Sequence, residues 1–315
     1  MSHPATPGVS VVIPYFEQGL YLRRAVASVL RQTFEAFEVI VVDDGSSDGA
    51  TNCLGGLTDR RVAVYRSDHL GVSAARNRGV SIARAPWVAF LDADDEWSPD
   101  FLESTQKPTQ VVGGLCAVFT NLRDHKSGRA LISRVICDGP IVRDYFAAVL
   151  ENEGQGMSSS SVLVSRPRLL ACGGFPEGVG HGEDVDLWAR LAWSGDVAFC
   201  DRVAAIYHSE VANSASKQVH SISAYPRILH SYQEWSAKAR IRPRLVPSSR
   251  RYANWILSRH VMELCHHGLK AKAREHLRLG AWRSRNDPHV WRARVWCWLP
   301  TGVLRVGRRL RAALR

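Results

Sequence analysis

The sequence predicts an α/β fold, with a doubly wound, mainly parallel sheet followed by a basic helical extension. Short β-branched runs alternate with helical stretches between Val9 and Leu91, the pattern of parallel strands joined by right-handed crossovers. Two of those runs stop at clustered carboxylates, at the strand ends where an open α/β sheet gathers its ligands. The charge also divides: after position 219 there are 21 Lys+Arg against 4 Asp+Glu, a balance of +17, whereas the part before it carries 20 against 26. The formal net charge of +11 therefore belongs to the C-terminal part. A domain over 1–217 and a basic helical region over 218–315 are expected.

Taken in order, VSVVIP (Val9–Pro14) is a buried parallel strand, and Gly19–Arg31 a helix with Leu22, Ala25, Val26, Val29 and Leu30 on one face. FEVIVV (Phe37–Val42) runs into Asp43 and Asp44, and Ser47 or Asp48 can cap a helix beginning near Gly49. Val62–Tyr65 is a third strand, Val72–Ala83 a helix carrying Arg76 and Asn77, and Trp87–Leu91 a fourth strand. Beyond Pro99 the pattern loosens. Leu115–Thr120 and Leu131–Ile136 suggest a hairpin, Val162–Val164 a short strand, and the stretch from Asp184 through Ala192 an amphipathic helix. Val197–Cys200 and Ala204–Tyr207 are two final strands leading to His208, and Arg244–Arg251, with Pro247, is a linker.

With 45% hydrophobic and 23% charged residues, the chain is a folded protein rather than a disordered one. Its seven cysteines show no CxxC or Cys/His ligand spacing, which suits reduced core thiols in a cytosolic protein. MSHPATPG lacks a basic region followed by an apolar run, so no signal peptide is expected, nor is any apolar stretch long enough to span a bilayer.

The chemistry centres on WVAFLDADD, an apolar strand running into Asp92, Asp94 and Asp95. Buried acids in such a cluster need a cation or ligand hydroxyls. With Asp43/Asp44 and Glu183/Asp184 there are three acidic clusters at strand or loop ends. Mg²⁺ or Mn²⁺ is held by one or two carboxylates plus substrate phosphates, which fits this spacing.

The segments VSVVIPYFE, SVLRQTFEAFEVIVVDDGSSD, GVSAARNRGVSIARAPWVAFLDADDEWSPDFL and GGFPEGVGHGEDVDLWARL resemble, in order, the motifs of family 2 glycosyltransferases over about residues 8–210. The resemblance implies a GT-A fold with a Rossmann-like nucleotide-sugar half (about 8–102) and an acceptor half (about 103–217). It also implies inverting transfer from a nucleotide-sugar, commonly a UDP-sugar, with a divalent metal. By that resemblance Pro14, Tyr15, Phe16 and Glu17 line the nucleotide pocket, Asp44 accepts from the base, and Arg76 and Asn77 contact the nucleotide or steady the acidic loops. Asp92, Ala93 and Asp94 hold ribose and diphosphate, with Asp94, Asp95 and His208 as metal ligands. Asp184 is the general base, Glu183 orients the acceptor, and Trp188 walls the sugar pocket.

Each assignment has a structural alternative: core packing for Phe16 and Trp188, a capping acid for Asp44, a surface arginine for Arg76 and a structural imidazole for His208. The chain departs from the family's usual pattern at Glu17 and His69, where Asn is common, and at Tyr207–Glu210.

The expected activity is addition of a sugar to a cell-surface glycan or lipid-linked precursor. A sugar nucleotidyltransferase or a non-catalytic sugar-nucleotide or glycan-binding protein are the alternatives. Residues 291–315 mix Trp, Leu and Val with seven arginines, which suits an amphipathic helix on an anionic membrane; the alternative is a helix packed on the catalytic domain. The expected location is the cytoplasm, peripheral at the inner face of the plasma membrane. No nucleic-acid motif accompanies the charge, so no nucleic-acid partner is expected.

Overall fold

The computed structural model describes residues 6–49, 54, 59–210, 223–280 and 287–299. The chain divides into two compact units, Met1–Gln218 and Val219–Arg315.

The first unit is built on one ten-stranded sheet. Its N-terminal elements are β1 (Val9–Tyr15), α1 (Gly19–Leu30), β2 (Phe37–Asp43), β3 (Val62–Arg66), α2 (Val72–Ile82) and β4 (Trp87–Phe90). There follow β5 (Glu96–Trp97), α3 (Phe101–Val111), β6 (Leu115–Asp124), β7 (Cys137–Asp138), β8 (Ile141–Val142) and α4 (Tyr145–Glu151). The unit closes with β9 (Val162–Ser165), α5 (Arg166–Ala171), α6 (Glu183–Ser194) and β10 (Asp196–Tyr207). Every residue of β1 and β2 is buried, as their unbroken β-branched runs require of strands covered on both faces.

The strand order is β3-β2-β1-β4-β9-β6-β10-β8-β7, with β5 paired to β10. β1 runs parallel to β2 and β4, and β6 parallel to β10, whereas β9 is antiparallel to both of its neighbours. The double reversal at β9 makes β6 and β10 point the same way as β4. The carboxyl ends of β1–β4, β6 and β10 therefore share one edge. α2 lies close against β1: a Cβ at Gly79 would come within 2.3 Å of Val12 Cγ1, so only glycine permits this approach.

The structure corrects three expectations. Leu131–Ile136 is not a returning strand. The chain returns onto β6 only briefly, with Ala130 bridged antiparallel to Arg123 and the Leu131 N–H donating to the Leu122 carbonyl at 2.8 Å; β9 takes the same edge of β6 at Ala117–Phe119, and the Asn121 amide bonds the backbone N–H and C=O of Ile132. The two final strands are one, β10, which runs through register shifts between Cys200 and Ala205. The proposed linker is the first part of a long helix. Pro247 falls in its first turn, where a missing N–H costs nothing, and the Ser248 hydroxyl donates to the Leu245 carbonyl at 3.0 Å. The helix expected near Gly49 falls mostly outside the described residues.

The second unit contains α7 (Arg227–Ala237), α8 (Val246–His266), α9 (Lys270–Leu279) and α10 (Pro288–Trp298), with α7, α9 and α10 packed on α8. Asp287 caps α10 through the His289 and Val290 N–H groups and accepts from Asn254 of α8 at 2.8 Å. Only residues 291–299 of the basic tail are described. No helix among the described residues is long and apolar enough to cross a membrane.

Candidate functional site

The shared carboxyl edge collects the three acidic clusters. At the end of β1, Tyr15 is buried and its hydroxyl donates to Asp48; burial and that carboxylate push the phenol pKa up. Pro14 lies in the β1/β2 ladder, which runs on to Tyr15, but beyond the stretch of β1 paired with β4, which ends at Val12, so its missing N–H leaves no bond to β4 unmade. Phe16 is 40% exposed, and its ring lies against His69 with centroids 4.2 Å apart. Glu17, at φ 51°, accepts from the Ser47 N–H and hydroxyl at 2.7 and 2.9 Å, so this acid fastens the loop after β2. Asp44 is buried, and its two oxygens take the N–H groups of Leu70 and Gly71 at 2.9 and 2.7 Å. It thereby anchors the entry to α2. Each oxygen keeps a second lone pair for another donor.

The Asp92–Asp95 turn is fixed from several sides. The Ser160 hydroxyl donates to Asp95 Oδ2 at 2.6 Å and accepts from the Asp92 N–H at 3.1 Å, and the Ser160 carbonyl accepts from the Trp97 indole at 2.7 Å. Arg24 donates to the Asp94 carbonyl, and Ala93 is buried between the acids. The other Asp95 oxygen accepts from the His208 backbone N–H at 3.2 Å. Burial, together with Asp92 and Asp94, raises the Asp95 carboxyl pKa well above the usual range.

Arg76 joins two of the clusters. Its guanidinium donates to Asp92 Oδ1 at 2.8 Å and to Glu183 Oε1 at 2.9 Å, over the Phe175 ring. It is buried, which works against its charge, but Asp92, Glu183 and Asp184 more than offset that and raise its pKa. Asn77 faces elsewhere: its amide clamps Phe175 and Glu177, steadying the loop that leads into α6.

Gly182, in the left-handed region, is the N-cap of α6 and sets Glu183 and Asp184 in its first turn. Asp184 accepts from the Val185 N–H at 2.7 Å. Its pKa is raised to about 6, first by burial and next by Glu183, with Arg76 pulling it back. A carboxylate with this value is ionised at neutral pH yet far more basic than an ordinary aspartate, which suits proton acceptance.

Trp188 does not wall a pocket. It is 1% exposed and packs on Phe90 and Phe175, because its position on α6 turns it into the core. His208 is buried, with Nδ1 2.8 Å from Glu210 and Nε2 3.2 Å from Glu96, and its ring lies on that of His125. Ligand atoms of His125, His208 and Glu210 lie within 4.8 Å of one another, the one group of this kind among the described residues.

Sequence reasoning missed Ser160, Arg24, Glu96 and His125. The signal for Ser160 was the run MSSSSV, polar residues leading straight into an apolar strand. That run meets the acids because β9 is antiparallel to β4, which brings its start to the end of β4.

Residues 10–127 match the sequence model of Glycosyl transferase family 2. The succinoglycan biosynthesis protein ExoW of Rhizobium meliloti is 46% identical over 101 residues, 30% of this chain and 31% of that protein. An uncharacterized glycosyltransferase of Rickettsia felis is 27% identical over 195 residues, 62% of this chain, and the chain spans 32% of that relative's length. Among solved structures, S. aureus TarS 1-349 in complex with UDP-GlcNAc superposes with a TM-score of 0.73 at 15% identity, covering 96% of this chain and 91% of that one. The mannosyltransferase PcManGT from Pyrobaculum calidifontis, in complex with GDP-Man and Mn²⁺, gives 0.59 at 18% identity, covering 98% and 81%. These likenesses establish a GT-A fold, with its mixed, mainly parallel sheet.

Proposed function

We propose, on the premise that this chain carries a family 2 glycosyltransferase domain with the GT-A fold, that it transfers a sugar with inversion from a nucleotide-sugar to a hydroxyl acceptor. The observation that carries the reading is the Arg76 guanidinium held between Asp92 and Glu183, which sets a donor-side acid beside the basic carboxylate of α6. In the reaction the acceptor oxygen attacks the anomeric carbon opposite its bond to the diphosphate. That bond breaks, the nucleoside diphosphate leaves with the electron pair, and Asp184 takes the hydroxyl proton. Glu183, braced by Arg76, orients the acceptor. The exposed Phe16 ring stacks on the base, Asp44 accepts from the base's ring N–H, and Asp92 takes the ribose hydroxyls.

The crowding of Asp92, Asp94 and Asp95 that raises the Asp95 pKa fits a hard divalent cation such as Mg²⁺ or Mn²⁺. Asp94 would hold it, with Asp95 behind and His208 linked to Asp95 through its backbone N–H. When bound, the cation neutralises charge on the departing diphosphate. Resemblance to TarS with UDP-GlcNAc supports a UDP-sugar donor, and resemblance to a succinoglycan biosynthesis protein supports a glycan or lipid-linked acceptor in cell-envelope polysaccharide assembly. Residues 8–102 form the donor half and 103–217 the acceptor half of a catalytic domain working at the cytoplasmic side of the membrane.

The test is a panel of nucleotide-sugars with glycan and lipid-linked acceptors, assayed by nucleoside diphosphate release with Mg²⁺ or Mn²⁺. Acceptor-dependent release of nucleoside diphosphate is expected. Pyrophosphate release, or no turnover across the panel, overturns the reading.

A further inference from the structure

α10 carries two apolar stripes. Val290, Ala293 and Cys297 are buried and account for its packing against α8. On another side of the helix, Trp291 and Trp298 stand one above the other, seven residues apart, at 63% and 80% exposure, with half-buried Arg294 and Val295 between them. That is the i, i+3, i+4, i+7 spacing of a second face. Large exposed aromatics so placed are unusual on a water-facing helix and mark a surface that meets something. Exposed Arg292 lies beside them, and the sequence continues with Val303, Leu304 and Leu310 among Arg305, Arg308, Arg309, Arg311 and Arg315.

We propose that the Trp291/Trp298 face of α10 is a membrane-docking surface, with both indoles seated at the headgroup level of an anionic bilayer and the surrounding arginines drawn to its lipids. The charge supports this occupant over a second copy of the chain. A region with 21 basic and 4 acidic residues repels its like, whereas an anionic surface is complementary to it. Indole suits the interface because its body is apolar and its N–H is polar.

Flotation of the full chain is compared on vesicles of phosphatidylcholine alone and of phosphatidylcholine with phosphatidylglycerol, alongside Trp291→Ser/Trp298→Ser and Arg292→Gln/Arg294→Gln variants. The expected results are binding to the anionic vesicles only, weakened by salt, and about ten-fold or more weaker in the tryptophan variant. The arginine variant should be weakened by about five-fold for each charge that reaches the surface. Circular dichroism melting of each variant confirms folding, since Trp291, Arg292 and Trp298 are exposed and Arg294 is half-buried. Equal flotation of the tryptophan variant, no flotation of the native chain, or a dimer in sedimentation that the tryptophan variant abolishes would each overturn the proposal.

Discussion

Replacing Asp184 with Asn separates the proposed catalytic use of that carboxylate from its structural cost. The group sits at a pKa of about 6 against 3.8 for an ordinary aspartate, because burial and Glu183 disfavour its charged form more than Arg76 favours it. At about 1.36 kcal/mol per pH unit the full difference corresponds to roughly 3 kcal/mol of destabilisation at neutral pH. The pull of Arg76 is already contained in that value, and an amide oxygen can keep the Val185 N–H bond, so a net gain of up to roughly 3 kcal/mol is expected. A raised folded-state pKa means the native chain is at its best, at this site, below the unfolded value. It loses that stability as the pH rises from 3.8 to about 6. The advantage of Asp184→Asn should therefore be absent near pH 4, grow through that window and stay constant above it, as read from urea midpoints of the two proteins at matched pH. Turnover in the same variant should fall by roughly 10²–10⁴-fold, and in the native enzyme kcat/KM should decline below a pH of about 6. A stability gain that does not change with pH, or turnover within ten-fold of the native rate, refutes the reasoning.

Three further outcomes are expected. Arg76→Lys keeps the charge but not the fork that reaches both Asp92 and Glu183, so it should cost about 1–3 kcal/mol in urea unfolding and about 10²-fold in kcat/KM; native-like values for both would remove the bridging role. Phe16→Ala should raise the donor KM by roughly 5- to 100-fold, the range set by base stacking, with kcat and the melting temperature little changed; an unchanged KM counts against Phe16 as the base platform. In the second unit, His260 pairs with buried His276 at 2.7 Å, and burial holds its pKa down at about 4. Its contribution is complete above the unfolded value of 6.5 and is lost as the pH falls toward 4, so about 1–2 kcal/mol should go between pH 7 and pH 5. His260→Gln should flatten that dependence in pH-resolved unfolding, and parallel curves for the two proteins would sink the assignment.

Much of the sheet from β1 to β4 was legible in the sequence because its signals are local. The apolar runs of β1, β2 and β4 are buried on both faces apart from half-buried Trp87 and are followed by polar turns, so composition alone marks both the strand and its end. Asp44, Asp92, Asp94 and Asp95 lie at those ends wherever the rest of the chain goes. The part of the chain beyond β4 was less legible. Single-residue patterns do not distinguish a full hairpin at 115–136 from one that closes for a single bridge at Arg123 and Ala130 before β9 takes the same edge of β6, since that choice is made by segments far apart in sequence. Trp188 shows the same limit: only the packing of Phe90 and Phe175 against α6 decides that it is core rather than pocket wall.

What the sequence by itself determined was the class of fold, the acid-ended strands and the charge division near position 219, because strand period, turn chemistry and net charge are properties of neighbours along the chain. The tertiary structure decided how the acids work together. The reversal at β9 brings Ser160 to the Asp92–Asp95 turn, and the close approach that Gly79 permits lays α2, which carries Arg76, against β1. Arg76 there spans Asp92 and Glu183, residues far apart in sequence, and burial beside Glu183 makes Asp184 basic enough to accept a proton. Such effects depend on distance and desolvation, which arise only when separate segments are packed together.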